Sequence, residues 1–202
     1  MKLRPDEQRT IETYNKIAPQ WSAKNRDPDF WAEEFRLFQK HLPAGRILEI
    51  GAGSGRDIPM MLEAGYEYVG TDVSGAFIAE LRRRFPQLRF TQESLYDLSF
   101  PREFFDGFWA CAVLLHIPSD RIDAAIGSIC RVVKPGGIGF ISLKEGQGEG
   151  VEDEDYGEPR YFSYYTIESF QDVAKRNNLT ILETRRRPLP RVTWLSFIVR
   201  RE

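Results

Sequence analysis

Three glycines and an acid lie together where an apolar run ends and a helix is expected to begin. Gly51, Gly53 and Gly55 alternate along the chain, so the backbone can turn sharply and approach a ligand without Cβ atoms in the way. The dinucleotide pattern G-x-G-x-x-G would place its third glycine where this chain has Arg56. Glu49 comes two residues before the first glycine and would repel a pyrophosphate but attract an ammonium group. The segment therefore predicts a loop that binds a ligand carrying a cation.

A second acid follows a second apolar run. Residues 66–71 predict a short strand, and Asp72 stands at its end, roughly 20 residues past the glycine loop. A carboxylate at that position can accept hydrogen bonds from both hydroxyls of a ribose. Further along, residues 105–110 predict a fourth strand, and the Val-Val-Lys-Pro-Gly-Gly sequence of residues 132–137 predicts a turn before a fifth. Two acids at successive strand ends thus flank one glycine loop.

This ordered set of motifs resembles the class I S-adenosylmethionine-dependent methyltransferases, from about Leu48 to the C-terminus. The resemblance implies S-adenosyl-L-methionine as the cofactor, with its methionyl part against the glycine loop, its amino group near Glu49 and its ribose on Asp72. No metal is expected, because the two histidines and two cysteines give no cluster of zinc type. Cys111 and Cys130 are expected to be small buried hydrophobic residues and not a disulfide.

The resemblance assigns a set of residues to the cofactor. Tyr14 and Trp21 match the aromatics of a Tyr-x-x-Ile-Ala-x-x-(Tyr/Trp) segment that closes over the cofactor in many small-molecule methyltransferases, although they could also simply anchor a helix. Ser94 occupies the position at which the family usually contacts adenine through an acid, so that contact falls to Ser94 and the backbone of Leu95, or to Glu93. The complete set is Tyr14, Trp21, Glu49, Gly51, Ala52, Gly53, Gly55, Asp72, Val73, Ser94, Leu95 and Ala110.

The acceptor side is predicted from residues after the fourth and fifth strands. His116 is the candidate catalytic base, and the alternative is a histidine that bonds the backbone. The segment 144–165 is expected to form a wall of the pocket, with Arg160, Tyr161 and Tyr165 facing the acceptor or packing in the core. Its acids, which include Glu154 and Asp155, would favour cationic acceptors or belong to a solvated loop.

The composition suits one compact domain with an ample core: 202 residues, 42% hydrophobic, 29% charged and a net charge of −2. No apolar run approaches the ~18 residues of a membrane span, and the N-terminus lacks the apolar stretch of a signal peptide, so a cytoplasmic protein is expected. Nucleic acid is not the expected partner, because residues 109–112 lack the Asn/Asp-Pro-Pro-Tyr/Phe sequence that holds a flipped base. The arginine runs 82–84, 185–187 and 200–201 suit solvated ends of helices and strands. The oligomeric state stays open.

Alternating strand and helix patterns predict an α/β fold: a doubly wound, seven-stranded, mainly parallel sheet with an antiparallel C-terminal edge strand and helices on both faces. Residues 45–202 would form this Rossmann-like domain, and residues 1–44 an N-terminal helical lid or cover. Within the cover, Trp31, Phe35, Phe38 and Leu42 predict one apolar helix face, capped by Asp27 or Asp29. The expected strands are 45–50, 66–71, 88–91, 104–111, 137–143, 179–184 and 192–199, and the expected helices are 55–64, 74–84, 119–132 and 166–177.

Methyl transfer to a small-molecule acceptor, by in-line displacement at the sulfonium methyl, is the function that the resemblance implies. Two alternatives remain open. One is a methyltransferase of the same fold acting on protein or RNA. The other is a non-catalytic regulatory protein that binds S-adenosylmethionine without turning it over, because a fold alone does not determine a function.

Overall fold

The computed structural model describes residues 1–25, 27–153 and 156–202, so Glu154 and Asp155 lie outside the described residues. The helices are α1 (Pro5–Lys24), α2 (Ala32–His41), α3 (Ile58–Glu63), α4 (Gly75–Arg84), α5 (Ile122–Val132) and α6 (Ile167–Arg176). The strands are β1 (Arg46–Ile50), β2 (Glu67–Asp72), β3 (Arg89–Gln92), β4 (Phe105–Ala110), β5 (Val133–Lys144), β6 (Glu149–Asp153), β7 (Pro159–Ser163), β8 (Leu179–Pro188) and β9 (Thr193–Arg201). Among the described helices, none has the length and apolar character needed to cross a membrane.

Seven strands form one sheet in the order β3-β2-β1-β4-β5-β9-β8. The strands from β3 to β5 pair in parallel. The C-terminal strand β9 runs antiparallel to both of its neighbours, and β8 forms the edge beyond it. The predicted seven-stranded, mainly parallel architecture is thereby confirmed. The strand order reverses between β1 and β4, and in such sheets a crevice opens at the carboxyl ends of the strands at this point.

Helices cover both faces of the sheet. One face packs against α2, α3 and α4, and the other against α5 and α6. Phe35 and Phe38 of α2 meet Trp109 of β4 edge to face, with ring centroids 5.8 and 5.6 Å apart. The predicted apolar face of α2 therefore packs on the sheet. Its predicted cap was wrong: the helix begins after Trp31, because the carboxylate of Asp27 accepts the N–H of Asp29 at 3.1 Å in the turn before it.

The segment after β5 is a hairpin and not the loop that the sequence predicted. β6 and β7 pair antiparallel and form a second, two-stranded sheet. Helix α1 lies against β7, where the N–H of Tyr161 donates to Thr10 Oγ1 at 2.9 Å and Thr13 Oγ1 donates to the carbonyl of Pro159 at 2.7 Å. The same helix contacts α4, because Asn15 Oδ1 accepts from Ser74 Oγ at 2.8 Å. The hairpin and α4 together hold α1 in place.

Candidate functional site

One cavity lies at the carboxyl ends of β1, β2, β3 and β4 and is covered by α1. It comprises about 1150 Å³ of space, counting its opening to solvent. Eleven of the residues assigned from the sequence line it: Tyr14, Trp21, Glu49, Gly51, Ala52, Gly53, Asp72, Val73, Ser94, Leu95 and His116. The fold thus brings together residues that are more than 100 positions apart in the chain.

The glycine loop owes its shape to backbone angles that other residues rarely adopt. Gly51 and Gly53 have φ of +67° and +52°. A Cβ on Gly51 would approach Val113 Cγ2 to 2.2 Å, so only glycine fits at this close approach of the β1 and β4 ends. Gly55 lies outside the cavity lining, contrary to its assigned cofactor contact. A Cβ there would meet Leu81 Cδ2 at 2.7 Å, so Gly55 lets the loop pack on α4.

Backbone hydrogen bonds hold the carboxylate of Asp72. Its Oδ2 accepts the N–H of Gly53 and its Oδ1 accepts the N–H of Ser74, both at 2.8 Å. Burial raises the pKa of Asp72 to about 6, although these backbone donors favour the ionised form. A carboxylate oxygen can accept more than one hydrogen bond, so Asp72 can also accept from donors in the cavity. Asp72 is therefore an oriented acceptor for a pair of hydroxyl groups.

Glu49 is a second buried carboxylate, only 3% exposed. Its Oε2 accepts a hydrogen bond from the phenol of Tyr68. Burial and the nearby charge of Asp57 raise the pKa of Glu49 well above its usual range. Asp57 itself is paired with Arg56, through Nε to Oδ1 at 2.5 Å and Nη2 to Oδ2 at 3.0 Å. A cation placed in the cavity would consequently favour the ionised form of Glu49.

The far end of the cavity is formed by the loop after β3. Ser94 and Leu95 line it, together with Glu93 and Tyr96. The carboxylate of Glu93 accepts from the N–H of Ser99 at 3.1 Å and from its hydroxyl at 2.5 Å. Glu93 is thus held by its own loop, whereas Ser94 Oγ accepts from the N–H of Tyr96 at 3.3 Å.

His116 has a partner on each ring nitrogen. Nδ1 lies 2.6 Å from the carbonyl oxygen of Tyr161, and Nε2 lies 2.8 Å from the hydroxyl of Tyr14. Burial lowers the pKa of His116 to about 3, and the charges of Arg160 and Lys144 act in the same direction. The ring is therefore neutral at physiological pH, and its Nε2 faces the hydroxyl of Tyr14.

Four further assigned residues lie outside the cavity lining. Ala110 is fully buried in the sheet, and the three residues after it line the cavity instead. Arg160 lies behind the lining, with its guanidinium carbon 5.4 Å from the ring centroids of both Tyr14 and Trp21. The backbone of Tyr161 bonds α1, and Tyr165 packs on Phe170 in the core. Arg160, Tyr161 and Tyr165 thus lie outside the lining of this cavity, and their expected contact with an acceptor stays a prediction.

Sequence reasoning missed most of the contribution of the N-terminal segment. The cavity is also lined by Leu3, Glu7, Thr10, Ile11 and Asn25. Together with Tyr14 and Trp21, these residues recur mostly at intervals of three, four or seven, the spacing of one helix face, and that periodicity could have identified them. Glu7 Oε2 accepts from the N–H of Arg4 and from Arg121 Nη1, both at 2.8 Å, which fixes the start of α1 over the cavity.

The cavity offers no site of metal type in the described part of the chain, where no group of three or more His, Cys, Asp or Glu side chains is arranged to hold an ion. Cys111 lines the cavity as a free thiol, and burial raises its pKa to about 12. It is therefore a protonated, weakly reactive thiol at physiological pH.

A family model described as a methyltransferase domain matches residues 47–137, the part of the chain from β1 to the start of β5. A curated protein of Mycolicibacterium smegmatis, described as a probable S-adenosylmethionine-dependent methyltransferase, is 30% identical over 121 residues, which cover 57% of this chain and 46% of that protein. The chain spans less than half the length of each of four curated relatives, from 1% to 46%.

Solved structures share the fold along the whole chain. A 1,6-didemethyltoxoflavin-N1-methyltransferase of Burkholderia thailandensis, with bound 1,6-didemethyltoxoflavin and S-adenosylhomocysteine, aligns with a TM-score of 0.76 at 20% identity over 100% of this chain and 92% of its own. The [4+2]-cyclase SpnF aligns with a TM-score of 0.75 at 17% identity over 100% of this chain and 98% of its own. Similarity at such identities shows the fold and leaves the reaction to be argued from the site.

Proposed function

Because the chain belongs to the class I S-adenosylmethionine-dependent methyltransferase family, we propose that it transfers a methyl group from S-adenosylmethionine to a small-molecule acceptor. One observation carries the proposal. Two buried carboxylates, Glu49 and Asp72, flank the glycine loop at the end of adjacent parallel strands, inside a cavity that α1 covers.

The residues of the cavity fit this cofactor. Asp72 presents an oriented carboxylate to the ribose hydroxyls, and Glu49 presents a carboxylate that a cationic amino group would ionise. The close approach at Gly51 leaves main chain for the methionyl part, and Ser94 with Leu95 lines the end available to adenine. When bound, the cofactor supplies a methyl group already activated by its sulfonium. The protein then needs only to align an acceptor and exclude water.

A small acceptor is favoured by the enclosure of the site and by the surface charges. Within the described residues, helix α1 lies over the cavity and supplies part of its lining, which favours a small acceptor over a polymer. The arginines of β8 are paired: Arg185 and Arg187 with the acids of α2, and Arg186 with Glu145 through Nε at 2.8 Å. These side chains are therefore poorly suited to act as a phosphate-binding face. The similar fold of the toxoflavin methyltransferase, which binds a small heterocycle, is consistent with the proposal.

Calorimetric titration with S-adenosylmethionine and S-adenosylhomocysteine tests the cofactor. We expect micromolar binding that Asp72→Ala abolishes and that the control variant Asp123→Ala retains, since Asp123 is exposed on α5 and bonded to Arg176. Stronger binding of the dinucleotide NAD would contradict the proposal. A protein that binds the cofactor but transfers no labelled methyl group to any small molecule would be a regulator, and labelled protein or RNA in extract would identify a macromolecular acceptor.

A further inference from the structure

Glu7, on the first turn of α1, is a buried carboxylate to which the proposed function assigns no role. It is 4% exposed and lines the cavity together with Leu95 and Tyr96 of the loop after β3. Tyr96 donates its phenolic hydrogen to Oε1 of Glu7 at 2.5 Å. The other oxygen, Oε2, accepts from the N–H of Arg4 and from Nη1 of Arg121, both at 2.8 Å. Glu7 is therefore an oriented acceptor at the end of the cavity that the loop after β3 forms.

The partners of Glu7 leave its two oxygens in different surroundings. Oε2 receives the charged donor, because Arg121 forms an ion pair with it and both side chains are mostly buried. Oε1 accepts from the neutral phenol of Tyr96. A carboxylate oxygen can accept more than one hydrogen bond, so Oε1 can also accept from a ligand that carries a donor.

The order of the strands sets the direction in which a cofactor would lie. β1, β2 and β3 are neighbours in that order, and adjacent strands are about 4.8 Å apart. Glu49 lies near the end of β1 and Asp72 at the end of β2, so the proposed contacts to the amino-acid part and the ribose are one strand apart. The adenine and the methionyl part are attached to opposite ends of the ribose. The adenine would therefore extend from Asp72 toward the loop after β3, where Glu7 lies.

Two acids among the described residues line this end of the cavity, Glu7 and Glu93. Both oxygens of Glu93 already accept from Ser99, at 3.1 Å from its N–H and at 2.5 Å from its hydroxyl. Glu93 is half-buried, whereas Glu7 is buried. Glu7 is consequently the carboxylate at this end whose contact with a ligand is better shielded from water.

We propose that Glu7 accepts a hydrogen bond from the 6-amino group of the adenine of the cofactor and thereby selects this purine. The inference rests on the proposed function and specifies how its cofactor is recognised. An amino group donates and a carboxylate oxygen accepts, so the two groups are complementary. A purine without the amino group would leave Oε1 of Glu7 with one donor fewer in a place where water is excluded, and this loss weakens binding.

The substitution Glu7→Gln reverses the polarity of this contact and keeps the size of the side chain. The N–H of Arg4 and the guanidinium of Arg121 can only donate, so they bond to the single oxygen of the new amide. The NH₂ group of the amide then takes the position of Oε1. The hydroxyl of Tyr96 can turn and accept from it, but an adenine amino group would meet it donor against donor.

Calorimetric titration with matched ligands measures the contact. The probes are S-adenosylhomocysteine and its analogue with hydrogen in place of the 6-amino group, which keeps every other atom of the purine. We expect the wild type to bind S-adenosylhomocysteine about 10- to 100-fold more tightly than the analogue, and Glu7→Gln to lose this preference. The control Glu12→Gln should keep it, because Glu12 is exposed on α1, bonds Gln8 at 3.0 Å and lies outside the cavity lining.

Nuclear magnetic resonance of the bound ligand tests the placement in the wild type, so the result does not depend on the folding of a variant. The probe is S-adenosylhomocysteine labelled with ¹⁵N at the 6-amino group. We expect nuclear Overhauser contacts from the amino protons to the side chain of Glu7 and to the ring of Tyr96, which bonds it. Amino protons without a contact to Glu7 would overturn the proposal.

The titrations can also refute the assignment. An equal preference for adenine in the wild type and in Glu7→Gln would do so, as would a preference that Glu93→Gln loses and Glu7→Gln retains. The same data separate this result from a failure of the proposed function. A protein that binds neither ligand fails the proposed function and this inference with it. A protein that binds S-adenosylhomocysteine and its analogue equally well fails this inference alone.

Discussion

Replacing Asp72 by asparagine should increase the stability of the ligand-free protein relative to the wild type as the pH rises. The same change should remove the carboxylate that we propose binds the ribose. Burial raises the pKa of Asp72 to about 6, compared with its usual value of 3.8. A group whose pKa is higher in the folded state destabilises the fold once the pH exceeds the unfolded value, and this cost is complete above the folded value. The asparagine side chain does not ionise, so the Asp72→Asn variant escapes the cost.

The size of the effect follows from these two pKa values. Linkage gives a destabilisation of about 1 kcal/mol at pH 4.5 and about 3 kcal/mol at pH 8, a difference of about 2 kcal/mol between the two conditions. The new amide also directs N–H hydrogens at the donor of Gly53 or Ser74, which costs about 1–3 kcal/mol at every pH. Only the ionisation of Asp72 changes with pH, so the pH dependence isolates it from the altered hydrogen bonding.

Urea unfolding of both proteins at pH 4.5 and pH 8 measures the difference. The unfolding free energy of Asp72→Asn relative to the wild type should rise by about 2 kcal/mol over this interval, or about 4–8 °C in Tm for a domain of this size. The control Asp123→Asn should change in the opposite direction, because bonds from Arg176 and Asn177 lower the pKa of Asp123 against the effect of its limited burial. Equal slopes in the two variants would refute the reasoning.

Two further predictions concern the glycine loop and the second carboxylate. Gly51→Ala should abolish cofactor binding, because its Cβ would meet Val113 Cγ2 at 2.2 Å, whereas Gly136→Ala, which has φ of +78° and open space around it, should only lose about 1 kcal/mol of stability. Binding of S-adenosylmethionine should release a proton from Glu49, whose pKa is raised by burial, so affinity should increase with pH. Calorimetry in phosphate and in Tris should then give different enthalpies for the wild type and the same enthalpy for Glu49→Gln.

The part of the site that the glycine loop, Glu49 and Asp72 form was predictable, because each of these residues lies at the end of an apolar run in the sequence. A glycine loop directly after β1 and an acid directly after β2 must meet when the two strands pair in parallel, and their register places Glu49 beside Gly70 and Ile50 beside Thr71. Strand pairing is set by apolar runs that the sequence displays. Glu49 and Asp72 could therefore be placed from the sequence, and the structure adds their partners and the direction of their pKa shifts.

The part of the site that α1 and the β6–β7 hairpin form was harder to predict, because its contacts join residues that are far apart in the sequence. Residues 149–153 carry three acids and two glycine or valine positions, with no alternation of apolar and polar residues, so nothing indicated a strand. That strand forms through its pairing with Pro159–Ser163, which in turn packs on α1. The same contacts turn Tyr161 toward the helix and place Arg160 behind Tyr14. The missed hairpin and the positions of Arg160 and Tyr161 outside the cavity lining thus have one physical origin.

Three polar groups of the cavity lie in states that a ligand would change. Asp72 and Glu49 are carboxylates whose burial disfavours their charge, and Tyr14 is a phenol held between a neutral ring and a guanidinium. Burial of the carboxylates of Glu49 and Asp72 lowers the folding stability of the ligand-free protein. A ligand that brings a cation and two hydroxyls would restore that stability. The covering helix supplies Tyr14 to the cavity lining. A variant that loosens α1 should therefore lose turnover more than it loses cofactor affinity, because Glu49 and Asp72 belong to the sheet.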